Sequence, residues 1–230
     1  MPHASRPPAI DVWLATPEAA REFDPSKLGG EDRAEWDALH TERRRLDWAS
    51  SRVLLGVVAV AGDQTSSLSH SHGFAALARA PGHIAVGVDV EWLAPRDFLS
   101  LARTAYSTAE AEELEALEDP SLLRARFYEI WTLKEAFAKA LRLPLADALG
   151  TCCITFADGD ATATVPTTRY WRATVFAPRP ELRLALVLVA DAEDSLGTNP
   201  ATTEWPPARD ANWPVVRRLS GPGGKRTVTC

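Results

Sequence analysis

The chain has 230 residues, of which 46% are hydrophobic and 24% charged, with a formal net charge of −6 at pH 7. That composition supports a sizeable core without disulfide help, and the acidic balance excludes wholesale nucleic-acid binding. The three cysteines, Cys152, Cys153 and Cys230, form no C-x-x-C pair, which excludes a usual zinc-ligand spacing and fits a reducing compartment.

In chain order, Ile10–Ala15 alternates and is rich in β-formers, so it predicts an opening strand. Its leader, MPHASRPPA, has no apolar run of signal-peptide length. Residues 32–40 and 43–61 predict helices. The second carries Leu46, Ala49, Val53, Leu54, Val57 and Val60 at helical spacing, after Arg43, Arg44 and Arg45. Ser66–Ser69 predicts a short strand ending at Ser69-His70-Ser71-His72, and Phe74–Arg79 fits either helix or strand. Ile84–Glu91 predicts a strand. Helices follow from Pro95 to about Ala105, and at Ser107–Leu117, whose opening Ser107-Thr108-Ala109-Glu110 reads as a capping box. Ser121–Leu141 predicts a long helix with an apolar stripe of Phe127, Ile130, Trp131, Phe137 and Leu141, and Pro144 lies just past its end. Strands over Cys152–Phe156, Tyr170–Ala177 and Arg183–Ala190 complete the body. The longest apolar stretches, Val53–Ala61 and Leu184–Ala190, fall well short of the roughly 20 residues a membrane helix needs, so a cytoplasmic protein with no membrane contact is expected. From Asp191 the composition turns to Asp, Glu, Ser, Gly, Thr and Pro, which predicts a flexible tail over 191–230. The expected class is α+β, in two α/β halves: 1–86 and 87–190.

The chemistry concentrates in two segments. In Gly87-Val88-Asp89-Val90-Glu91 the strand period places Asp89 and Glu91 on one face and the valines on the other. Paired carboxylates suit a hard cation such as magnesium, although an isolated D-x-E is more often a solvated strand face. In Trp131-Thr132-Leu133-Lys134-Glu135-Ala136-Phe137-Ala138-Lys139, Glu135 and Lys139 share a helix face. Taken alone they are a simple helix ion pair worth about 0.3–0.5 kcal/mol. Acids beside a lysine are also the arrangement that pyrophosphate chemistry uses. His70-x-His72 is a weak transition-metal signal, and His72 is more simply explained by a turn. Arg43-Arg44-Arg45 reads either as a solvated helix face or as a dock for phosphate.

Taken together, G-V-D-V-E, the later W-x-x-K-E-A, the upstream Ser69-His70-Ser71 and Arg52-Val53-Leu54-Leu55-Gly56 resemble the signature of 4′-phosphopantetheinyl transferases of the surfactin-synthetase-activating (Sfp) type, over roughly residues 45 to 155. The resemblance implies a pseudo-dimer of two similar halves with the active site at their interface, working as a monomer. It implies magnesium-dependent transfer of phosphopantetheine from coenzyme A to a serine of an acyl, polyketide or peptidyl carrier protein, as in holo-[acyl-carrier-protein] synthase, with release of 3′,5′-ADP. By the same resemblance, Asp89, Glu91 and Glu135 are the metal ligands and Glu91 belongs to the catalytic centre. Lys139 contacts a coenzyme A phosphate, with Lys134 a weaker candidate. Ser69, His70 and Arg52 also bind coenzyme A, and Glu110, or a water held near Asp89 and Glu91, removes the serine proton as general base. Family members commonly place a lysine before the S-H-S segment, and here Ala61–Leu68 has none. Two other readings are an inactive coenzyme A-binding interaction module and a metal-dependent phosphoester hydrolase.

Overall fold

The computed structural model describes residues 10–58, 60–157, 160–197, 199–206 and 212–221. The strands are β1 (Asp11–Ala15), β2 (Gln64–Ser71), β3 (Phe74–Pro81), β4 (Ala85–Trp92), β5 (Cys153–Ala157), β6 (Asp160–Thr164), β7 (Tyr170–Phe176), β8 (Leu182–Ala190), β9 (Ala201–Trp205) and β10 (Val215–Gly221). The helices are α1 (Gly30–Asp37), α2 (Glu42–Val57), α3 (Phe98–Ala105), α4 (Thr108–Glu115), α5 (Pro120–Leu141) and α6 (Leu145–Thr151). The fold is mixed α+β. One sheet has the order β2-β3-β1-β9, a second has β10-β7-β8-β4, and β5 and β6 form a separate hairpin.

Strand alternation explains the layering. Val12 and Leu14 of β1, Ala76 and Ala78 of β3, Val86, Val88 and Val90 of β4, and Leu184, Leu186 and Leu188 of β8 share one core between the two sheets. The intervening residues face the helices. Ala15, Ala75 and Leu77 pack with Leu54 and Val58 from the end of α2. Ala185, Val187 and Val189 pack with α5 through Ile130, Leu133 and Phe137. Each large apolar side chain buried this way contributes about 1.5–3 kcal/mol. The order of layers is therefore helix, sheet, sheet, helices.

A seam of hydroxyls joins the sheets. β4 is an edge strand, so one row of its backbone groups needs partners from outside its sheet. β2 supplies them: Thr65 Oγ1 donates to Ile84 O at 2.6 Å, while Ser67 Oγ accepts from Val88 N at 3.0 Å and Ser71 Oγ from Trp92 N at 3.2 Å. These β2 residues are two and four apart and line one face of the strand. The β2–β3 turn has His72 at φ 53° and Gly73 at φ 84°, the positive dihedrals a two-residue hairpin favours.

Gly87 sets the spacing between β4 and α5. A Cβ there would lie 1.9 Å from Ala136 O and 2.7 Å from Ala140 N, both backbone atoms. No rotamer change relieves such a clash, so α5 can approach only because the residue is glycine. Gly87→Ala should destabilise the fold by about 3 kcal/mol or more, since it overpacks against backbone. Denaturant unfolding with an unchanged midpoint would contradict this reading.

Several expectations need correction. The segment after Asp191 is not uniformly loose, because β9 pairs in parallel with β1 and β10 pairs antiparallel with β7. Its polar composition hid two edge strands that need few apolar residues of their own; residues 198, 207–211 and 222–230 of that segment lie outside the described residues. Phe74–Arg79 is strand, because its alanines fill narrow space between layers. α6 and β6 were not anticipated; the turn expected at Asp158-Gly159 lies outside the described residues. Cys152 is a free buried thiol. Among the described residues, no helix is long and apolar enough to cross a membrane.

Candidate active site

Asp89 and Glu91 leave β4 on the face opposite the valines. Asp89 is only 2% exposed. Its Oδ1 accepts Ser69 Oγ at 2.7 Å and Lys139 Nζ at 2.9 Å. Lys139 Nζ also donates to Val88 O at 2.9 Å and stands 4.0 Å from Glu135 Oε2. Glu91 Oε2 accepts Ser71 Oγ at 2.7 Å. The seam and the close passage of α5 therefore bring Asp89, Glu135 and Lys139 together, with Glu91 beside them.

The electrostatics show crowding of like charge. Burial raises Asp89 above the ordinary carboxylate range, against the pull of Lys139. Glu91 is pushed up to about 7, first by burial and then by Asp89. Glu135 is also pushed up to about 7, by burial, with Asp89 and Glu91 adding repulsion. The three carboxylates thus act on one another. Among the described residues no three acidic, His or Cys side chains form a ready-made metal cage; the ammonium of Lys139 holds Asp89 Oδ1 instead. Asp89 Oδ2, however, is buried without a hydrogen-bond partner. An orphaned buried oxygen among three repelling carboxylates fits a hard divalent cation, which takes oxygen ligands.

Raised carboxyl groups fix the sign of a pH effect. Between their unfolded values near 4.5 and their folded values near 7, the folded state holds more protons than the unfolded state. Stability therefore falls as pH rises through that window. A cation held by the ionised forms opposes the fall. The stabilisation given by added magnesium, read as a melting-temperature shift, should be larger at about pH 8 than at about pH 5. Equal shifts at both values would contradict the assignment.

Glu91 opens onto a cleft of about 550 Å³. Arg43, Arg44, Asp47 and Trp48 of α2 line one wall, with Glu35, Ala38 and Leu39 from the α1 region. His70, Ser71 and His72 line another, and Arg96 follows β4. Arg96 Nε donates to Tyr128 Oη at 3.1 Å, and Tyr128 Oη donates to Ala94 O at 3.0 Å. Arg43, Arg44 and Arg96 have no carboxylate partner among the described residues, whereas Arg33, Arg52, Arg79 and Arg103 are all paired. Arginines in the first turn of α2 also oppose its macrodipole, a cost that a bound anion offsets. The result is a cleft in which three arginines without carboxylate partners stand among the acids Glu35, Asp47 and Glu91.

The structure separates the expected site residues into two sets. Asp89, Glu91, Glu135, Lys139 and His70 lie at or beside the cleft. Ser69 is close by, but its hydroxyl serves Asp89 rather than facing the cleft. Arg52 does not line the cleft but backs its wall: it pairs with Asp32 at 2.8 Å and with the lining residue Glu35 at 2.9 Å and stacks over Trp48. Glu110 and Lys134 are sealed inside, both side chains 0% exposed, with Nζ 2.7 Å from Oε2. Glu110 also accepts from Ser107 N, Ser107 Oγ and Ile154 N, and Lys134 donates to Leu149 O. The capping box that makes Glu110 conspicuous in sequence is what turns it inward. Of the cleft residues, Arg96 and Asp47 were not foreseen, and Ser71 was noted in the S-H-S segment without a role. The charge gap left by the lysine-free Ala61–Leu68 was the signal for Arg96 and the α2 arginines.

Comparison with known proteins points to the same stretch of chain. Residues 85–186 match the 4′-phosphopantetheinyl transferase superfamily, a span that holds β4 and α5 with their three carboxylates. Proteins named 4′-phosphopantetheinyl transferase AcpT from Salmonella typhi and Salmonella typhimurium are each 37% identical over 114 residues, covering 42% of this chain and 58% of the relative. The match thus spans little more than half the length of those relatives. Over residues 85–186 the chain is thus similar to the 4′-phosphopantetheinyl transferase superfamily.

Proposed function

We propose that this protein moves the phosphopantetheine arm of coenzyme A onto a serine hydroxyl of a carrier protein, as an Sfp-type enzyme built from two α/β halves. The observation that carries the proposal is the placement of three coupled carboxylates beside a cleft lined by unpaired arginines. A diphosphate needs both: cations along its oxygens and a metal-holding edge at the reacting phosphorus. Asp89, Glu91 and Glu135 would hold magnesium. When bound, that ion neutralises charge on the phosphate oxygens.

The chain's own residues do the rest. Arg43, Arg44 and His70 grip coenzyme A phosphates and take the place of the absent family lysine. Arg96, braced by Tyr128, does the same on the Glu91 side. Lys139 opposes the effect of burial on Asp89 and stabilises negative charge on the diphosphate. The serine oxygen bonds to the β-phosphorus, the bond to the bridging oxygen breaks, and 3′,5′-ADP departs. Arg52, Lys134 and Glu110 have no place in this scheme, because their partners hold them outside the cleft.

Intact-mass analysis of apo acyl, polyketide and peptidyl carriers, incubated with the protein, coenzyme A and magnesium, tests the proposal. A serine-linked phosphopantetheine adduct on one carrier is the expected result. Free phosphopantetheine with unmodified carriers would point to a hydrolase, and no reaction with any carrier would sink the transferase reading.

A further inference from the structure

Arg183 of β8 stands directly opposite Glu91 of β4 in their antiparallel register. Opposed residues of such a pair leave the same face of the sheet, with Cβ atoms about 4.5–5.5 Å apart. An arginine in that place is a natural ion-pair partner for the glutamate, and the pairing would occupy a carboxylate that the proposed metal needs. The pairing observed is a different one. Arg183 Nε stands 3.7 Å from Glu129 Oε1 on α5. Its Nη1 donates to Leu182 O at 2.8 Å and to Pro180 O at 3.3 Å. Glu91 Oε2 takes the Ser71 hydroxyl instead. We infer that Glu129 is a positioning residue for the carboxylate site: it holds the Arg183 guanidinium and so keeps that cation off Glu91. The inference rests on the metal reading of Asp89, Glu91 and Glu135 and names a residue that protects it.

The direction of the pull follows from the sheet. In the order β10-β7-β8-β4, β10 lies at the far end from β4. Arg217 of β10 donates from Nε to Glu129 Oε2 at 3.2 Å. Glu129 therefore sits over the part of the sheet between β8 and β10, and an Arg183 turned toward it is turned away from β4. Burial makes the choice of partner matter. The Glu129 side chain is 5% exposed and that of Arg183 12%, so water serves neither charge well and each needs a partner within the protein. Glu129 is the one acid that Arg183 reaches among the described residues, whereas Arg126, the third arginine beside Glu129, also has Glu113 at 2.9 Å. With Glu129 neutralised, the carboxylate next at hand for Arg183 is the one across the strand pair, Glu91.

The test is manganese binding, followed by electron paramagnetic resonance in the wild type, Glu129→Gln, Arg183→Met and the double variant, with affinities referred to folded protein. The account expects Glu129→Gln to weaken manganese binding by about 10–100-fold and Arg183→Met to leave it unchanged. It expects the double variant to return to within about threefold of wild type. A purely structural Glu129 would move the melting temperature and not the manganese affinity of the folded protein. Wild-type affinity in Glu129→Gln, or a double variant as weak as Glu129→Gln, would therefore overturn the role. Glu129→Asp keeps the charge and draws the carboxylate back from Arg183. Should Glu129→Gln fail to fold, the same comparison in the Asp background decides: weakened binding that Arg183→Met restores supports the role, and unaltered binding overturns it. Wild-type protein that binds no manganese would remove the metal reading together with the inference. Normal binding by the wild type and indifferent Glu129 variants would remove the inference alone.

Discussion

Asp89→Asn should lower carrier modification by at least about 10²–10³-fold at saturating magnesium, while leaving the fold in place. Both halves of that expectation come from burial. Asp89 is nearly inaccessible, and its ionised form is already disfavoured there. An isosteric neutral amide therefore costs little stability, and the melting temperature should stay within about 3 °C of wild type. Lys139 keeps Glu135 and Val88 O as partners. What disappears is the negative charge that orders Lys139 and offers Oδ2 to a cation. Rates near wild type in Asp89→Asn would mean that the carboxylate cluster is structural only.

Glu110→Ala should behave in the opposite way. It strands the buried Lys134 ammonium and leaves Ile154 N and the start of α4 without their acceptor. Breaking a buried pair from one side costs about 3–5 kcal/mol, which lowers the melting temperature by roughly 10 °C in a chain of this size. Activity per folded molecule should survive. Replacing both partners with apolar side chains of similar volume should cost less than either single change. If Glu110→Ala instead kept its melting temperature and lost turnover, Glu110 would be the base that the sequence resemblance implied. Thermal unfolding and transfer rates measured on the same preparation separate the two outcomes.

The sequence revealed the parts of this site whose periodicity is local. Alternation in Ile84–Glu91 placed Asp89 and Glu91 on one face, and four-residue spacing placed Glu135 above Lys139. The meeting of strand and helix was legible only through the family resemblance, because it depends on Gly87 admitting α5, a contact between residues far apart in the chain. Glu110 and Lys134 show the reverse failure. Both stand in recognisable patterns, yet capping geometry and a helix face turn them toward each other. Arg52 follows the same lesson, since its charge is consumed by Asp32 and Glu35 from α1. Arg96 escaped notice because nothing local marks it, and Ser71 was seen only as part of the S-H-S segment, because the cleft that unites them is assembled from α2, β2 and the end of β4. The edge strands β9 and β10 were missed because β1 and β7 supply their partners, so polar residues suffice.

The central claim is that one pocket binds a divalent cation and a diphosphate together. Manganese binding followed by electron paramagnetic resonance, with and without 3′,5′-ADP or coenzyme A, tests it without requiring a carrier. The account predicts that coenzyme A tightens manganese binding in the wild-type protein and that Asp89→Asn abolishes this coupling. Manganese binding that is indifferent to coenzyme A, or unchanged in Asp89→Asn, would contradict it.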